Sequence, residues 1–339
     1  MPQRIHPKPT SLAEIFIKFS TDDQCLDYIQ SMRWPDGIVR CPTCGDKNIE
    51  KYERPGQRVR KPRSETRKPN KANRRAWFYI CLTKDCRQQF SPTSGTLFAD
   101  SHLPLLTWFH AIALMLNAKK GISAKQLQRD LGIGGYKTAW YLNHRIREAM
   151  NEGDTPLLGG VVEIDETYVG GKTIRRKDRG KLRPKEAVIG MVERGGRLRL
   201  RHIGKGNATA AKVGPLVREH VSRDVERVMT DESTIYPAAF DGFCASKHET
   251  IAHKYEYVRG DVHTNTIESA FSLLKRGLIG SFHKVSIKHL GRYLSEFEYR
   301  FNRRNEGDVF IETVRRMCGF KPLRFADLTS DPETASVPF

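Results

Sequence analysis

Residues 161–171, VVEIDETYVGG, decide how this chain is read. The β-branched run VVEID reads as a strand and carries Asp165 near its end, beside a hydrophobic anchor, Ile164. Two later stretches repeat the pattern of a carboxylate on an apolar element. RVMTDES (227–233) ends a short apolar strand on Asp231. HTNTIESAFSLLKRG (263–277) begins a helix with Ile267, Phe271 and Leu274 as its apolar stripe, and Glu268 projects from it. Between them, AVIGMVE (187–193) and LRLRHIG (198–204) read as second and third strands and residues 208–220 as a helix. The order strands, helix, strand, helix predicts an α/β fold, a mixed sheet flanked by helices of the ribonuclease H type.

Charge narrows the partners. Of 339 residues, 58 are Lys or Arg and 39 Asp or Glu, a formal net charge of +19, which should attract a polyanion in a salt-dependent way. A membrane is the weakest candidate. The most apolar stretch, Leu105 to Asn117, is interrupted by His110 and too short to span a bilayer, and MPQRIHPKPT lacks the apolar core of a signal peptide. The expectation is a soluble, intracellular protein, cytoplasmic or nucleoid-associated in a bacterium.

Four of the seven cysteines come in pairs: Cys41 and Cys44 in CPTC, Cys81 and Cys86 in CLTKDC, with FYI just before the second pair. Thiolates so spaced can converge tetrahedrally on Zn2+ in a zinc ribbon, and the alternative is two unrelated pairs. The basic, Pro- and Gly-punctuated segment between them reads as a loop, either contacting phosphate or simply solvated. Farther on, SAKQLQRDLGIGGYKTAWYLNHRIREAM (123–150) places Leu127 and Leu131 four apart, breaks at Gly132 to Gly135, and resumes its period through Ala139, Leu142 and Ile146. This predicts a helix-turn-helix whose second helix offers Lys137, His144, Arg145 and Arg147 to a major groove, although many helical hairpins bind nothing.

Any single Asp or Glu is most often a surface charge, but three in these contexts point to a metal site. Two aspartates could bridge divalent ions and Glu268 complete a coordination sphere, with Mg2+ or Mn2+ favoured by all-oxygen ligands. Such ions stabilise the attacking and leaving oxygens of a phosphodiester. Lys275 follows Glu268 by two helical turns and would contact the scissile phosphate or terminal base; Asn265, one turn before it, is a possible accessory ligand, and His263 a weaker one. Arg175, Arg176 and Lys177, just after the first strand, are candidates for the DNA backbone.

These motifs in this order, with FSPTSGTLFADSHLPLLTWFHA (90–111), resemble the DDE transposases of the ISXO type, bacterial insertion-sequence enzymes related to the eukaryotic Merlin elements. The resemblance covers about Trp34 to Phe320. It implies a zinc ribbon, a helix-turn-helix region and a ribonuclease H-like domain, with Asp165, Asp231 and Glu268 as the acidic triad and Lys275 as its lysine. It further implies strand cleavage and strand transfer on double-stranded DNA by a homodimer or higher assembly. Some relatives carry Asn for the third acidic residue; Glu268 is preferred to Asn265 here because it alone is charged. The implied organisation is a helical segment (1–35), a zinc ribbon with basic insert (36–95), a helix-turn-helix region (96–153), the catalytic domain (154–322) and a tail (323–339). Competing readings are a non-catalytic zinc-ribbon and helix-turn-helix regulator, and a nuclease of the same fold that cuts without joining.

Overall fold

A computed structural model describes residues 11–53, 77–153, 155–170, 185–251 and 262–330. The elements run α1 (Leu12–Lys18), α2 (Asp22–Arg33), β1 (Ile49–Glu53), β2 (Trp77–Cys81), β3 (Gln89–Phe90), α3 (Leu105–Asn117), α4 (Ala124–Asp130) and α5 (Tyr136–Ala149). Then come β4 (Val161–Val169), β5 (Glu186–Glu193), β6 (Leu198–Lys205), α6 (Ala210–His220), β7 (Arg227–Asp231), α7 (Ile235–Phe240) and β8 (His248–Ile251). The chain closes with α8 (Asn265–Gly277), α9 (Leu290–Asn302), α10 (Val309–Gly319) and α11 (Phe325–Thr329). They form two units: residues 1–118, 123–150 and 306–339 in one, 119–122 and 151–305 in the other.

In the first unit, reciprocal capping boxes start two helices, Ser11 with Glu14 on α1 and Thr21 with Gln24 on α2. The apolar helix α3 packs against α1, α2, α5 and α10, which is why it is hydrophobic on nearly every side. No helix among the described residues is long and apolar enough to cross a membrane. Strands β1, β2 and β3 form an antiparallel sheet beside a cluster of Trp34, Cys41, Tyr79, Cys81 and Phe90. Helix α4 is capped by Ser123, whose Oγ accepts from the Gln126 N–H at 3.1 Å. A turn through Gly132, at φ +60°, leads into α5. Leu127, Ala139, Leu142 and Ile146 are all buried, as their spacing predicts.

The second unit is a mixed five-stranded sheet in the order β6-β5-β4-β7-β8. Strand β5 is antiparallel to β4 and β6, whereas β7 runs parallel to β4 and to β8. Alternation sends side chains to two cores. Val162, Ile164, Ile189 and Met191 pack with Val213 and Val217 of α6 and Tyr236 and Phe240 of α7. Val188 and Val192 pack with Ile267, Phe271 and Leu274 of α8 and Leu290 and Leu294 of α9.

One expectation is adjusted. Asp165 sits in mid-strand: β5 pairs with β4 from Val162 to Val169, so the strand runs four residues past it. Helix α9 starts at Leu290, directly after a 3-10 turn at Ile287–His289.

Candidate active site

The central strand β4 sets the geometry. Asp165 pairs across the sheet with Gly190 of β5. A Cβ on Gly190 would come within 2.7 Å of Ile267 and Phe271, so only glycine lets α8 lie this close to the sheet. On the other side, the parallel register pairs Val161, Val162 and Glu163 with Arg227, Val228 and Met229. Carried two residues past its last pair, that register sets Asp231 level with Asp165.

Glu163 anchors α8 from the same face of β4 as Asp165. It is fully buried, and its carboxylate accepts from the backbone N–H groups of Thr266 (2.8 Å) and Ile267 (3.0 Å) and from the Thr266 hydroxyl (2.9 Å). Carboxylate oxygens on the free N–H groups of a first helical turn suit both their hydrogen-bonding need and the helix dipole. Arg194 completes the junction, donating from Nε to Glu163 at 2.7 Å and from Nη2 to the His263 carbonyl at 2.9 Å. The first turn of α8 is thereby tied to β4.

From that turn the helix presents Glu268 and, two turns on, Lys275. Both line a cavity of about 650 Å³ together with Asp165, Glu166, Lys120 and Arg276. Burial, against a hydrogen bond from the Glu166 N–H, together with the charges of Glu166, Asp231 and Glu268, pushes the Asp165 carboxyl up to about 7. Burial raises Glu166 too, against a hydrogen bond from the buried Tyr236 hydroxyl, and the Asp231 charge adds to it. An all-oxygen donor set of this charge could hold a divalent cation, which would relieve the repulsion.

Asp165, Asp231 and Glu268 are thus electrostatic neighbours, with Lys275 on the cavity of two of them. Asn265 is exposed as the first residue of α8 and does not line the cavity. His263 lies at the Glu163 junction, its Nδ1 3.4 Å from that carboxylate. Sequence reasoning missed Glu163, Gly190, Glu166 and Lys120. The period of two along β4 and a glycine inside an apolar strand were the available signals for the first two.

The DNA candidates divide. Lys137 is exposed, its Nζ 4.4 Å from the Phe325 ring centroid. Arg145 and Arg147 are corrected: they are only 2 % and 1 % exposed and face the interior of their unit. Arg145 donates to the Ala99 carbonyl and stacks over Trp108 and Tyr141, at 4.8 and 5.2 Å. Helix α5 packs against α3, α4 and α10, so Arg145 and Arg147 are covered and cannot reach a groove, whereas Lys137 at its start stays exposed. His144 is buried as well. Arg175, Arg176 and Lys177 lie outside the described residues, as does most of the basic insert between the cysteine pairs.

The four paired cysteines converge, their sulfurs all within 4.8 Å of one another. Cys41 and Cys86 are 3.7 Å apart, Cys44 and Cys81 3.6 Å. A tetrahedron with Zn–S bonds of about 2.3 Å has edges of about 3.8 Å, so the set has the size zinc requires. Burial opposes ionisation of Cys41, but the N–H groups of Cys44 and Thr43 together with the thiols of Cys86 and Cys44 outweigh it and lower the thiol to about 7. Asp46 braces the two turns, accepting from the Thr83 hydroxyl at 2.5 Å.

Comparison with known proteins agrees with this division. Residues 157–302 match the family described as ISXO2-like transposase domain, and residues 20–61 the transposase zinc-ribbon domain. The second match includes Cys41 and Cys44 and ends before Cys81, so the fold itself brings in the second pair. An uncharacterized protein in transposable element ISH50 of Halobacterium salinarum is 28% identical over 298 residues, 83% of this chain and 91% of the relative. A chain in the cryo-EM structure of a simian T-cell lymphotropic virus intasome with PP2A regulatory subunit B56 gamma aligns at TM-score 0.27 and 14% identity, over 61% of this chain and 71% of that one. That likeness is too slight to carry an argument. The chain carries the transposase and zinc-ribbon domains of the ISXO type, and the resemblance seen in its motifs is borne out.

Proposed function

We propose that this chain, with its ISXO2-like transposase domain, is a DDE transposase that binds the ends of a mobile element and performs metal-dependent DNA strand cleavage and strand transfer. One observation carries the reading: Asp165, Glu268 and Lys275 share a cavity, and the charges of Asp231 and Glu268 help to raise the Asp165 carboxyl. The mixed sheet with helices on both faces supports a ribonuclease H-like architecture. The paired helices α4 and α5 support a helix-turn-helix, with Lys137 as its exposed basic residue.

Asp165, Asp231 and Glu268 would hold Mg2+ or Mn2+; when bound, the cation polarises the phosphodiester and lowers the pKa of water. The chain's own part is to position. Gly190 and Glu163 fix α8 against β4, and α8 holds Glu268 beside Asp165. Lys275 holds a phosphate on the same cavity. Water and then a freed 3'-hydroxyl would attack in line at this one site, with no covalent enzyme intermediate. Cys41, Cys44, Cys81 and Cys86 would hold Zn2+. Two element ends must be joined in one event, which calls for a homodimer or larger assembly on double-stranded DNA.

The test uses duplexes cut from the DNA flanking the coding sequence, presented with a free 3'-hydroxyl to a supercoiled target in Mg2+. Joined product is expected. Asp165→Asn, Asp231→Asn and Glu268→Gln should each reduce it by more than the roughly 10–100-fold typical of an outer-shell metal partner. Cleavage without joining would make the chain a nuclease, and undiminished joining by Asp165→Asn would overturn the site.

A further inference from the structure

Residues 119–122 lie in sequence between α3 and α4, yet they belong with residues 151–305. Two glycines bring this short segment in. Gly277, at the end of α8, lies so close to it that a Cβ there would meet the Lys120 carbonyl oxygen at 2.8 Å. Gly121, at φ +79°, accepts the Phe282 ring so closely that a Cβ would lie 2.5 Å from its Cζ. Phe282 in turn rests edge-on against Tyr293 of α9, with ring centroids 4.8 Å apart. Such approaches hold Lys120 where its exposed side chain lines the cavity with Lys275 and Arg276 and the carboxylates Asp165, Glu166 and Glu268; among the described residues it forms no ion pair with them.

We propose that Lys120 is a substrate-binding residue of this cavity, holding a DNA backbone phosphate beside Lys275. The inference rests on the transposase reading for its substrate. Its chemistry is general: a lysine ammonium is a compact charge suited to phosphate, and a contact of this kind adds to affinity without reading bases. An ordinary surface lysine would share the exposure but not the two glycine contacts that fix its backbone.

The experiment uses the full chain and a short fluorescein-labelled duplex from the flanking DNA, with binding measured across a NaCl series. Lys120→Ala should weaken binding several-fold at moderate salt and reduce the slope of log Kd against log [NaCl] by about one, the signature of one lost phosphate contact. Lys120→Arg should restore both, and Lys119→Ala, next to it but outside the cavity lining, should change neither. Gly277→Ala should reproduce the loss by displacing the segment, and combining it with Lys120→Ala should cost nothing further. An unchanged slope in Lys120→Ala, or an equal loss in Lys119→Ala, would overturn the assignment. Cleavage of the same duplex in Mg2+ separates the two claims. Wild-type protein that binds but never cuts overturns the transposase reading and leaves the slope to judge Lys120; normal cutting with an unaltered slope overturns Lys120 alone.

Discussion

At the scale of single residues, the site stores electrostatic cost in Asp165. Its carboxyl is raised to about 7, well above the ordinary carboxylate range, so the unfolded chain gives up this proton at a lower pH than the folded one. Stability attributable to Asp165 is therefore greatest in acid and is lost as pH climbs from about 4 to about 7, by an amount on the order of a few kcal/mol. In buffer free of Mg2+ and Mn2+, thermal unfolding should show Asp165→Asn with a flatter pH profile and a higher Tm than wild type at pH 8. A variant no more stable than wild type there would count against the crowding of carboxylates. Glu163 has the opposite character. Glu163→Ala leaves the N–H groups of Thr266 and Ile267 and the Arg194 guanidinium without their acceptor, at a cost of about 2–4 kcal/mol. Glu163→Gln keeps one oxygen and should recover part of that loss in chemical denaturation, where equal losses would show that the acceptor role is unimportant.

At the scale of elements, α8 is the part on which the site depends. Its apolar residues Ile267, Ala270, Phe271 and Leu274 follow a helical period and seat it on β5, but its depth is set by Gly190. Gly190→Ala must push Ile267 and Phe271 away, which should cost about 1–3 kcal/mol in urea unfolding and lower strand transfer further than the stability loss explains. If activity simply tracked the folded fraction, Gly190 would be a packing residue and no more. In the three-stranded sheet the cysteine turns play the matching part. Elemental analysis of the purified chain should find one zinc per polypeptide, and Cys44→Ser should lose it, since one ligand of four is removed. Retained zinc in that variant would disprove the cluster as the binding site.

At the scale of the molecule, a net charge of +19 predicts DNA binding that weakens steeply and linearly in log [salt], with each phosphate contact adding about 0.9 to the slope. A shallow slope, of one or less, would mean that the charge is spread for solubility and not gathered on DNA. Much of the fold was legible beforehand. Strands β4, β5, β6 and β7, helices α6 and α8 and the cysteine pairs follow from period and spacing, because burial imposes those patterns on local sequence, whereas the short α7 and β8 carry too few residues to show a period and were not anticipated. The same local reading failed for Arg145 and Arg147: a basic residue on a periodic helix looks exposed until other helices cover it, and α5 is covered by α3, α4 and α10. By itself, then, the sequence determined the candidate set, three carboxylates, a lysine and four thiols, since their type and spacing are local properties. Only the tertiary structure decided which of them meet. The register of β4 with β7, the glycine under α8, the Glu163 anchor and the return of Lys120 to the cavity join residues far apart in the chain, and no local period encodes such contacts.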